Sequence, residues 1–288
     1  MGTVITVMNM KGGVGKTTVT MHIGGLIGRR LIENKRRKVL LIDYDPQFNL
    51  SQACIPPKDY FSLEKARKTI LSVLIEDDMN LDPFHIQVPG NENPPSVDDL
   101  AYNLYTPQAE YRLDIVPSTL DLMYVALGQL GHQVKPIEER FAKFIVECRK
   151  KYDLVFIDCH PAGSLFTKTS LRNSDHVLIP VVPQRYSVRG IGLMLQFIQA
   201  KSLGPSGPTA HILFNATSRT GVSQEETTIR TNSKFQGLCL PNTLKKYKVF
   251  SEPEDGRGFV WVSGKPWSTE AYWNLHSVAS DLLIRIKA

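Results

Sequence analysis

A glycine-rich segment near the start of the sequence constrains the fold more than any other feature of the chain. Residues 11–18 read K-G-G-V-G-K-T-T, after the apolar run 4–8 and at the opening of a helical pattern over 17–31. Glycines let successive backbone N–H groups point inward at an anion, and the N-terminus of the following helix adds its positive dipole end. A strand, this turn and a helix in that order predict a loop that binds nucleotide phosphates.

The residue types in the loop also predict how the phosphates are held. Lys16 can reach the β- and γ-phosphates as a point charge, and the Thr17 hydroxyl can ligate Mg²⁺. The other nucleotide contacts are expected along the same loop, from Lys11, Gly12, Gly13, Val14, Gly15 and Thr18.

Hydrophobic patterning predicts the fold class. Apolar runs alternate with amphipathic stretches, which is typical of strands joined by crossover helices. Near-continuous apolar strands indicate an α/β P-loop NTPase fold, with a mainly parallel, twisted sheet covered by helices on both faces. We predict strands at 4–8, 39–42, 113–116, 154–157, 176–181, 211–214 and 238–240, and helices at 17–31, 62–75, 137–150, 191–201, 223–235 and 270–286.

We interpret residues 1–288 as a single domain with one insertion. The segment at about 77–112 breaks the alternating pattern and is rich in Pro, Asn and Asp. A long segment of this composition predicts a loop that is either functional or a plain surface loop.

Composition excludes several classes of protein. The four cysteines are isolated from one another, which argues against a disulfide framework or a zinc knuckle and favours the reducing cytoplasm. No run of about 18 apolar residues is present, so no membrane-spanning helix is expected. The formal net charge of +6 is compatible either with simple solubility or with a surface that binds a polyanion.

Carboxylates follow two of the predicted strands. Asp43 and Asp45 lie in L-L-I-D-Y-D-P-Q (40–47), where alternation along an extended chain points both to one side. Asp158 closes the apolar run D-L-V-F-I-D, and a buried strand-end carboxylate is costly unless it meets a cation. At the carboxyl ends of parallel strands these acids face the ligand crevice, so we predict that Thr17 and Asp158 meet Mg²⁺ there.

One departure from the common phosphate-loop pattern carries a family resemblance. Met10 stands where the strict pattern has glycine, and an extra lysine, Lys11, precedes the glycine pair. The loop resembles the deviant Walker A loop of the ParA/MinD superfamily of dimerising ATPases, closest to ParA/Soj-type partition ATPases without an N-terminal helix-turn-helix domain. The resemblance implies that Lys11 contacts phosphates bound by a second copy. It also implies that Asp45 positions or deprotonates the attacking water, that Asp43 supports the Mg²⁺ hydration shell, and that Lys11, Lys16 and Asp45 form the catalytic set.

The resemblance continues toward the carboxyl terminus. H-I-L-F-N (211–215) is similar to the family strand whose terminal asparagine, here Asn215, reads the adenine edge, and an amide suits ATP because it both donates and accepts. Pro241 matches a proline that lies along the adenine ring. Asn242 stands where the family usually has arginine, so no role of that arginine is carried over.

ParA-type relatives bind DNA nonspecifically as dimers, and the resemblance implies the same partners here. Lys245, Lys246 and Lys248, with Arg219 and Arg230 nearby, are the candidate phosphate contacts, and such binding must weaken steeply with salt. We therefore expect an ATP-dependent homodimer on nonspecific DNA, associated with the nucleoid in the cytoplasm. A ParB-like adaptor would stimulate slow ATP hydrolysis to drive plasmid or chromosome partition.

Other readings of the same sequence remain open. One is an ATPase of this fold that positions a membrane, secretion or polysaccharide-synthesis machine without binding DNA, and another is a small-molecule ligase or kinase. A C-terminal membrane helix is disfavoured, because the apolar face of 270–286 is predicted to pack on the sheet and no membrane partner is expected. Trp261, Trp267 and Trp273 predict either core packing or a partner groove.

Overall fold

The computed structural model describes residues 1–29, 32, 35–75, 93–108, 111–127, 131–160, 165–201 and 207–288. Within these ranges eight strands form one sheet: β1 (Thr3–Val7), β2 (Lys38–Tyr44), β3 (Tyr102–Gln108), β4 (Tyr111–Val116), β5 (Leu154–Cys159), β6 (His176–Val181), β7 (Thr209–Thr217) and β8 (Leu244–Lys245). Their order across the sheet is β3-β4-β2-β5-β1-β6-β7-β8. Only the β3–β4 pair is antiparallel among these strands.

Helices connect the strands in the same described ranges. They are α1 (Lys16–Val19), α2 (Gly25–Arg29), α3 (Asn49–Cys54), α4 (Pro57–Lys65), α5 (Leu71–Leu74), α6 (Val97–Leu100), α7 (Leu122–Leu127), α8 (Gly131–Lys151), α9 (Leu165–Arg172), α10 (Ser187–Lys201), α11 (Gln224–Thr231) and α12 (Ser268–Ile286). A π-helical turn, Thr20–Gly24, joins α1 to α2, and 3₁₀ turns lie at Gln236–Leu238 and Lys248–Ser251.

Strand β2 illustrates how both faces of the sheet are covered. Its residues alternate, so Leu41 packs in one apolar cluster with Leu275 of α12, while Leu40 packs in another with Phe141 of α8. All four side chains are buried. This two-sided core confirms the predicted α/β fold with a mostly parallel sheet.

The apolar face of the last helix packs as predicted. The α12 residues Leu275, Val278, Leu282, Leu283 and Ile286 are buried against the sheet. Among the helices that the structure describes, none has the length and apolar character needed to cross a bilayer. All four cysteines are free and buried.

The predicted strand at 238–240 is wrong. Cys239 makes only an isolated bridge to Ile212, and the ladder beside β7 resumes at Leu244. Pro241 lies between these two points and has no N–H to donate to the ladder, so a continuous strand cannot form there.

The predicted helix at 62–75 is two helices. Helix α4 begins at Pro57 and ends at Lys65, and α5 begins only at Leu71. Arg67 has a φ of 57°, a left-handed conformation that ends a helix.

The predicted loop insertion at about 77–112 needs correction where it is described. Residues 76–92 lie outside the described ranges, but α6 and β3 follow them, and β3 extends the sheet beyond β4. Tyr102 is the first residue of β3, and its hydroxyl donates a hydrogen bond to Asp59 over 2.7 Å. The Pro and Asn content of the neighbouring segment concealed this edge strand.

A buried histidine lies in the π-helical turn behind the phosphate loop. His22 is inaccessible to solvent, and its Nε2–H donates to the carbonyl oxygen of Phe250 over 3.1 Å. Its ring meets that of Phe250 edge-on, with centroids 4.9 Å apart. Burial lowers the pKa of His22 to about 4, against the opposing effect of the carbonyl. The folded chain therefore holds this imidazole in its neutral form.

Acidification is expected to destabilise the fold through His22. The imidazole takes up a proton near pH 6.5 in the unfolded chain but near pH 4 in the folded one. Its contribution to the free energy of unfolding is therefore complete above pH 6.5 and is lost as the pH falls toward 4. Proton linkage predicts that the free energy of unfolding is lower by about 2 kcal/mol at pH 5. Urea unfolding at pH 7 and pH 5 should show a larger loss for wild type than for His22→Gln, whose amide can donate to Phe250 but does not titrate. An equal loss in both proteins would contradict this account.

Candidate nucleotide site

The phosphate loop joins β1 to α1 in a conformation that only glycine adopts readily. Gly13 and Gly15 have φ values of 71° and 85°, in the region where an L-residue is strained. A Cβ on Gly15 would lie 2.3 Å from Nδ2 of Asn215, whereas a Cβ on Gly12 would meet nothing within 4 Å. The loop is thus open on the side of Gly12 and Gly13, both of which are exposed, and closed on the side of Asn215.

The first turn after the loop carries the predicted phosphate and metal ligands. Lys16 is the first residue of α1, and its side chain is 9% exposed. The hydroxyl of Thr20 donates to the Lys16 carbonyl over 3.0 Å and lies 3.4 Å from Oδ1 of Asp158. Thr17 follows Lys16 in the same turn. The helix start is therefore tied directly to the end of β5.

Sheet register brings the three predicted acids to the same edge. Asp158 is the register partner of Asp43 on β2 and of Val7 on β1. The carboxylates of Asp43, Asp45 and Asp158 are all buried. The crevice therefore holds three carboxylates beside one buried lysine, as expected where parallel strands end.

Asp158 is the carboxylate that fits a bound Mg²⁺. Its Oδ2 is buried and has no hydrogen-bond partner in the described part of the chain, which costs free energy unless a cation or its water meets that oxygen. Burial raises the pKa of Asp158 to about 7, although hydrogen bonds and Lys16 oppose the shift. Together with the Thr17 hydroxyl, this oxygen is the hard donor set that Mg²⁺ prefers. Among the described residues no three His, Cys, Asp or Glu side chains could hold a metal by themselves, and Mg²⁺ commonly binds through few protein ligands, phosphates and waters.

Asp43 is engaged in holding the next helix. Its Oδ2 accepts from the backbone N–H and the hydroxyl of Ser51, over 2.8 and 2.7 Å, and its Oδ1 accepts from the backbone N–H of Asp45. Ser51 in turn accepts from the N–H of Ser118. Burial and the neighbouring Asp158 raise the pKa of Asp43 well above its usual value. In this structure Asp43 holds α3 in place through Ser51. No pattern in the sequence pointed to Ser51.

Asp45 begins a tight turn rather than a helix. Its Oδ1 accepts from the N–H of Gln47 over 2.9 Å, and its carbonyl accepts from the N–H of Phe48. Asp45 is 9% exposed and lies directly after the last residue of β2, two residues beyond Asp43.

The extra lysine of the loop has a partner in its own chain. Nζ of Lys11 donates to Oε1 of Gln184 over 2.6 Å, in the segment between β6 and α10. Lys11 is exposed, and its backbone N–H donates to Asn9. Nothing in the sequence pointed to Gln184.

Asn215 and Pro241, the predicted adenine contacts, lie on neighbouring segments. Asn215 of β7 is the register partner of Leu244 of β8, and its Nδ2 donates to the carbonyl of Val14 over 2.8 Å. Pro241 is exposed on the chain that runs beside β7 from Cys239 to Leu244. Asn215 therefore holds the phosphate loop.

Most of the predicted DNA-binding residues surround one cavity. Arg219, Lys246 and Lys248 line a cavity of about 900 Å³, which Lys265 and Trp267 also line. The Arg219 guanidinium lies 4.7 Å from the Trp267 ring centroid. Lys245 is not among the lining residues, and its backbone N–H donates to Asn274. Trp267 is 59% exposed and does not belong to the core.

The three tryptophans therefore do not share one role. Trp261 stacks on Phe259 with centroids 4.7 Å apart and packs against the core. Trp273, like Trp267, is 59% exposed. Core packing, the first of the two predicted roles, applies to Trp261.

A second basic surface was not selected from the sequence. It surrounds a cavity of about 690 Å³ at the amino-terminal ends of β1, β2 and β5, opposite the phosphate loop. In the sequence, this surface corresponds to two basic runs, one before β2 and one before β5. Its cations are Lys35, Arg36, Arg37, Lys38, Arg149, Lys150, Lys151 and Lys287.

Replacing Gly15 with alanine is expected to destabilise the loop. The new Cβ meets the Asn215 amide and the backbone keeps a positive φ, so the cost should be about 1–3 kcal/mol. Gly12→Ala is the matched control, since its Cβ meets nothing within 4 Å. Thermal unfolding without nucleotide should show a lower Tm for Gly15→Ala than for Gly12→Ala, and equal values would contradict the close approach of Asn215.

Comparison with known proteins finds similar sequences and similar folds. The chain is 28% identical over 204 residues to sporulation initiation inhibitor protein Soj of Bacillus subtilis, an alignment that covers 69% of this chain and 66% of Soj. A putative plasmid partition protein of Borrelia burgdorferi B31, solved bound to AMPPNP, superposes with a TM-score of 0.66 at 21% identity, covering 96% of this chain and 97% of that one. Cobyrinic acid a,c-diamide synthase of Mycobacterium smegmatis, solved with ADP and magnesium, has a TM-score of 0.67 at 20% identity, covering 100% and 96%. At these identities the two structures show the fold.

The family assignment rests on a match to a family model. Residues 2–203 match the family model AAA_31, an AAA domain. That match spans more than half of the chain and includes the phosphate loop, both strand-end acidic segments and the strand β6. The chain therefore belongs to this AAA domain family, and it is a ParA/MinD-type P-loop ATPase, as its deviant loop predicted.

Proposed function

We propose that the chain is a ParA-like ATPase that binds ATP and Mg²⁺, dimerises, binds DNA nonspecifically and releases it on hydrolysis to ADP and phosphate. The observation that carries the proposal is the buried Oδ2 of Asp158, which has no hydrogen-bond partner among the described residues, together with the buried Lys16 and the open glycine cradle. The cargo would be a plasmid, a chromosome region or another large assembly on the cytoplasmic nucleoid, and a ParB-like adaptor would stimulate hydrolysis.

Each loop residue has one task in this mechanism. The backbone N–H groups of residues 12–18 surround the phosphates, and Lys16 holds charge on the β- and γ-phosphate oxygens. Thr17 and Asp158 would hold Mg²⁺, which supplies neutralisation of phosphate charge when bound. Asp45 orients the attacking water in line with the γ-phosphate, and Asp43 keeps the turn that carries Asp45 in place through Ser51.

Lys11 makes the reaction depend on a second copy. A lysine held by one exposed hydrogen bond to Gln184 can exchange that bond for a phosphate at a net cost of about 1 kcal/mol. Its charge then neutralises the phosphates of the facing molecule as they separate. The dimer is complete only when each copy lends this cation to the other.

The basic cavity around Arg219 is the proposed DNA contact. Exposed lysines supply the sequence-independent attraction to phosphates, and the stacked pair Arg219 and Trp267 presents a planar cation and a ring on the same surface. Lys246 and Lys248 are exposed, and Lys245 is half-buried, so the first two should carry most of the binding.

Asp45→Asn is expected to lower ATP turnover by about 10²-fold or more while ATP binding remains. The amide oxygen can still accept from Gln47, so the turn is kept and only the charge that acts on the water is removed. Lys11→Ala should also lose turnover and keep ATP binding. The control is Lys135→Ala, whose side chain is 81% exposed. Phosphate release and equilibrium binding of a fluorescent ATP analogue measure the two quantities, and unchanged turnover in Asp45→Asn would refute the assignment.

DNA retention is expected only with ATP and only at low salt. The double variant Lys246→Glu/Lys248→Glu should weaken filter binding of random-sequence duplex by at least about 10-fold and flatten its salt dependence, because two phosphate contacts are lost. Lys135→Glu, which reverses one charge outside both basic surfaces, is the control. If DNA binding were instead lost in a Lys35→Glu/Lys150→Glu variant, the DNA contact would lie on the second basic surface, opposite the phosphate loop. No ATP-dependent retention in wild type would leave an ATPase of this fold that positions cargo without DNA.

A further inference from the structure

An exposed tryptophan lines the basic cavity around Arg219. Trp267 is 59% exposed and borders this cavity of about 900 Å³. It belongs to none of the three apolar clusters that the described residues form. Trp261, by contrast, packs against one of these clusters. Core packing therefore does not account for the ring of Trp267.

The backbone at Trp267 is strained. The residue directly precedes α12 with a φ of 67° and a ψ of 8°, a left-handed conformation that is unusual for a bulky side chain. Glycine or asparagine would adopt it more readily, and asparagine could also cap the helix, whereas no side-chain hydrogen bond caps α12 here. Neither the turn nor the core favours a tryptophan at this position, which leaves a contact at the surface as the role of its ring.

A planar cation stacks on the same ring. The Arg219 guanidinium lies 4.7 Å from the ring centroid of Trp267 and 5.8 Å from that of Tyr247. Cation–π attraction to both rings orders a side chain that would otherwise sample many rotamers. Arg219 and Trp267 are both exposed, so a guanidinium plane and an aromatic ring are available together on one surface. Unpaired nucleobases stack on both kinds of group.

Cations surround these planar groups. Lys246 and Lys248 are exposed, and Lys265 is paired with Glu252 over 2.9 Å. Glu252 is the one carboxylate among the described residues that line the cavity, against four cations. A ligand that fits must therefore bring negative charge for the lysines and a flat ring for Trp267. A single strand of nucleic acid supplies both in alternation, as phosphates and bases.

We propose that the basic cavity around Arg219 binds single-stranded DNA or RNA, with an unpaired base stacked on Trp267 and the adjoining phosphates held by Lys246 and Lys248. A duplex can use only the lysines, because each of its bases is covered on both faces by its neighbours. An acidic peptide also supplies charge without a base. The cavity therefore favours a strand whose bases are free over a duplex or a peptide of equal charge.

This inference rests on the proposed function only in taking Lys246 and Lys248 as phosphate contacts. The residues that line the cavity belong to one copy of the chain, so single-strand binding requires neither ATP nor a second copy. Dimerisation with ATP would bring a second cavity to the same strand and strengthen binding through multivalency. It would not change the preference for unpaired bases.

Fluorescence anisotropy with the full chain, at low salt and without nucleotide, tests this preference. Wild type should bind a 20-nucleotide thymidine strand about 10-fold or more tightly than an abasic strand of the same length and charge. Trp267→Ala should remove most of this difference and leave the affinity for the abasic strand unchanged, whereas Trp267→Phe, which keeps a ring, should retain most of it. Trp273→Ala is the matched control, because Trp273 is also 59% exposed but lies outside the cavity.

Three results would overturn the single-strand site. They are equal affinity of wild type for the thymidine and abasic strands, an equal loss in Trp267→Ala and Trp273→Ala, and displacement of the thymidine strand by polyglutamate as effectively as by unlabelled thymidine strand. In the last case charge alone would decide binding. A deoxyuridine strand and a uridine strand, which differ only in the 2′-hydroxyl, distinguish DNA from RNA as the source of the bound strand.

Tryptophan fluorescence reports the stacking itself. The thymidine strand should quench wild type and Trp273→Ala but not Trp267→Ala, and quenching that survives in Trp267→Ala would overturn the stacked base. Filter binding of duplex with ATP, on the same proteins, separates this site from the proposed function. A single-strand preference without ATP-dependent duplex retention would overturn the proposed function and leave this site. Duplex retention without the preference would do the reverse.

Discussion

Two neighbouring buried carboxylates, Asp43 and Asp158, are the constraint on which the rest of the site depends. They are register partners at the ends of β2 and β5, and neither charge can be buried there without compensation. Asp43 is compensated from within, by the N–H and hydroxyl of Ser51. Asp158 keeps one oxygen without a partner in the described chain, so it requires a cation from outside. Asp43 therefore stabilises the fold around the site, whereas Asp158 needs a bound cation to compensate its charge.

The two sides of the crevice are tied to this pair by different bonds. On one side, the hydroxyl of Thr20 links the first helical turn to Asp158, and the amide of Asn215 fixes the phosphate loop through Val14. On the other side, Asp43 holds α3 through Ser51, and the turn just before α3 joins Asp45 to Phe48 by a backbone hydrogen bond. The same short stretch of chain thus lies between the carboxylates at the strand ends and the protein surface.

The sequence predicted the central parallel strands and the crevice well, because buried strands and a glycine turn leave strong local patterns. It failed at the sheet edges. Strand β8 is displaced past Pro241, and β3 was concealed by the Pro- and Asn-rich composition around it. Edge strands depend on pairing with a neighbour, which periodicity does not report. Within the site, the sequence identified residue types but not the contacts of Lys11 with Gln184 or of Asp43 with Ser51, since these join segments that are not adjacent in local pattern.

The central claim of the proposed function is that two copies close over ATP and that Lys11 of each copy contacts the phosphates bound by the other. Light scattering of Asp45→Asn with saturating ATP and Mg²⁺ measures this most directly, because slow turnover preserves the ATP-bound state. The account requires a mass of twice 32.4 kDa with ATP and a single 32.4 kDa mass with ADP. A single mass in both nucleotides, with ATP binding confirmed in the same sample, would contradict it.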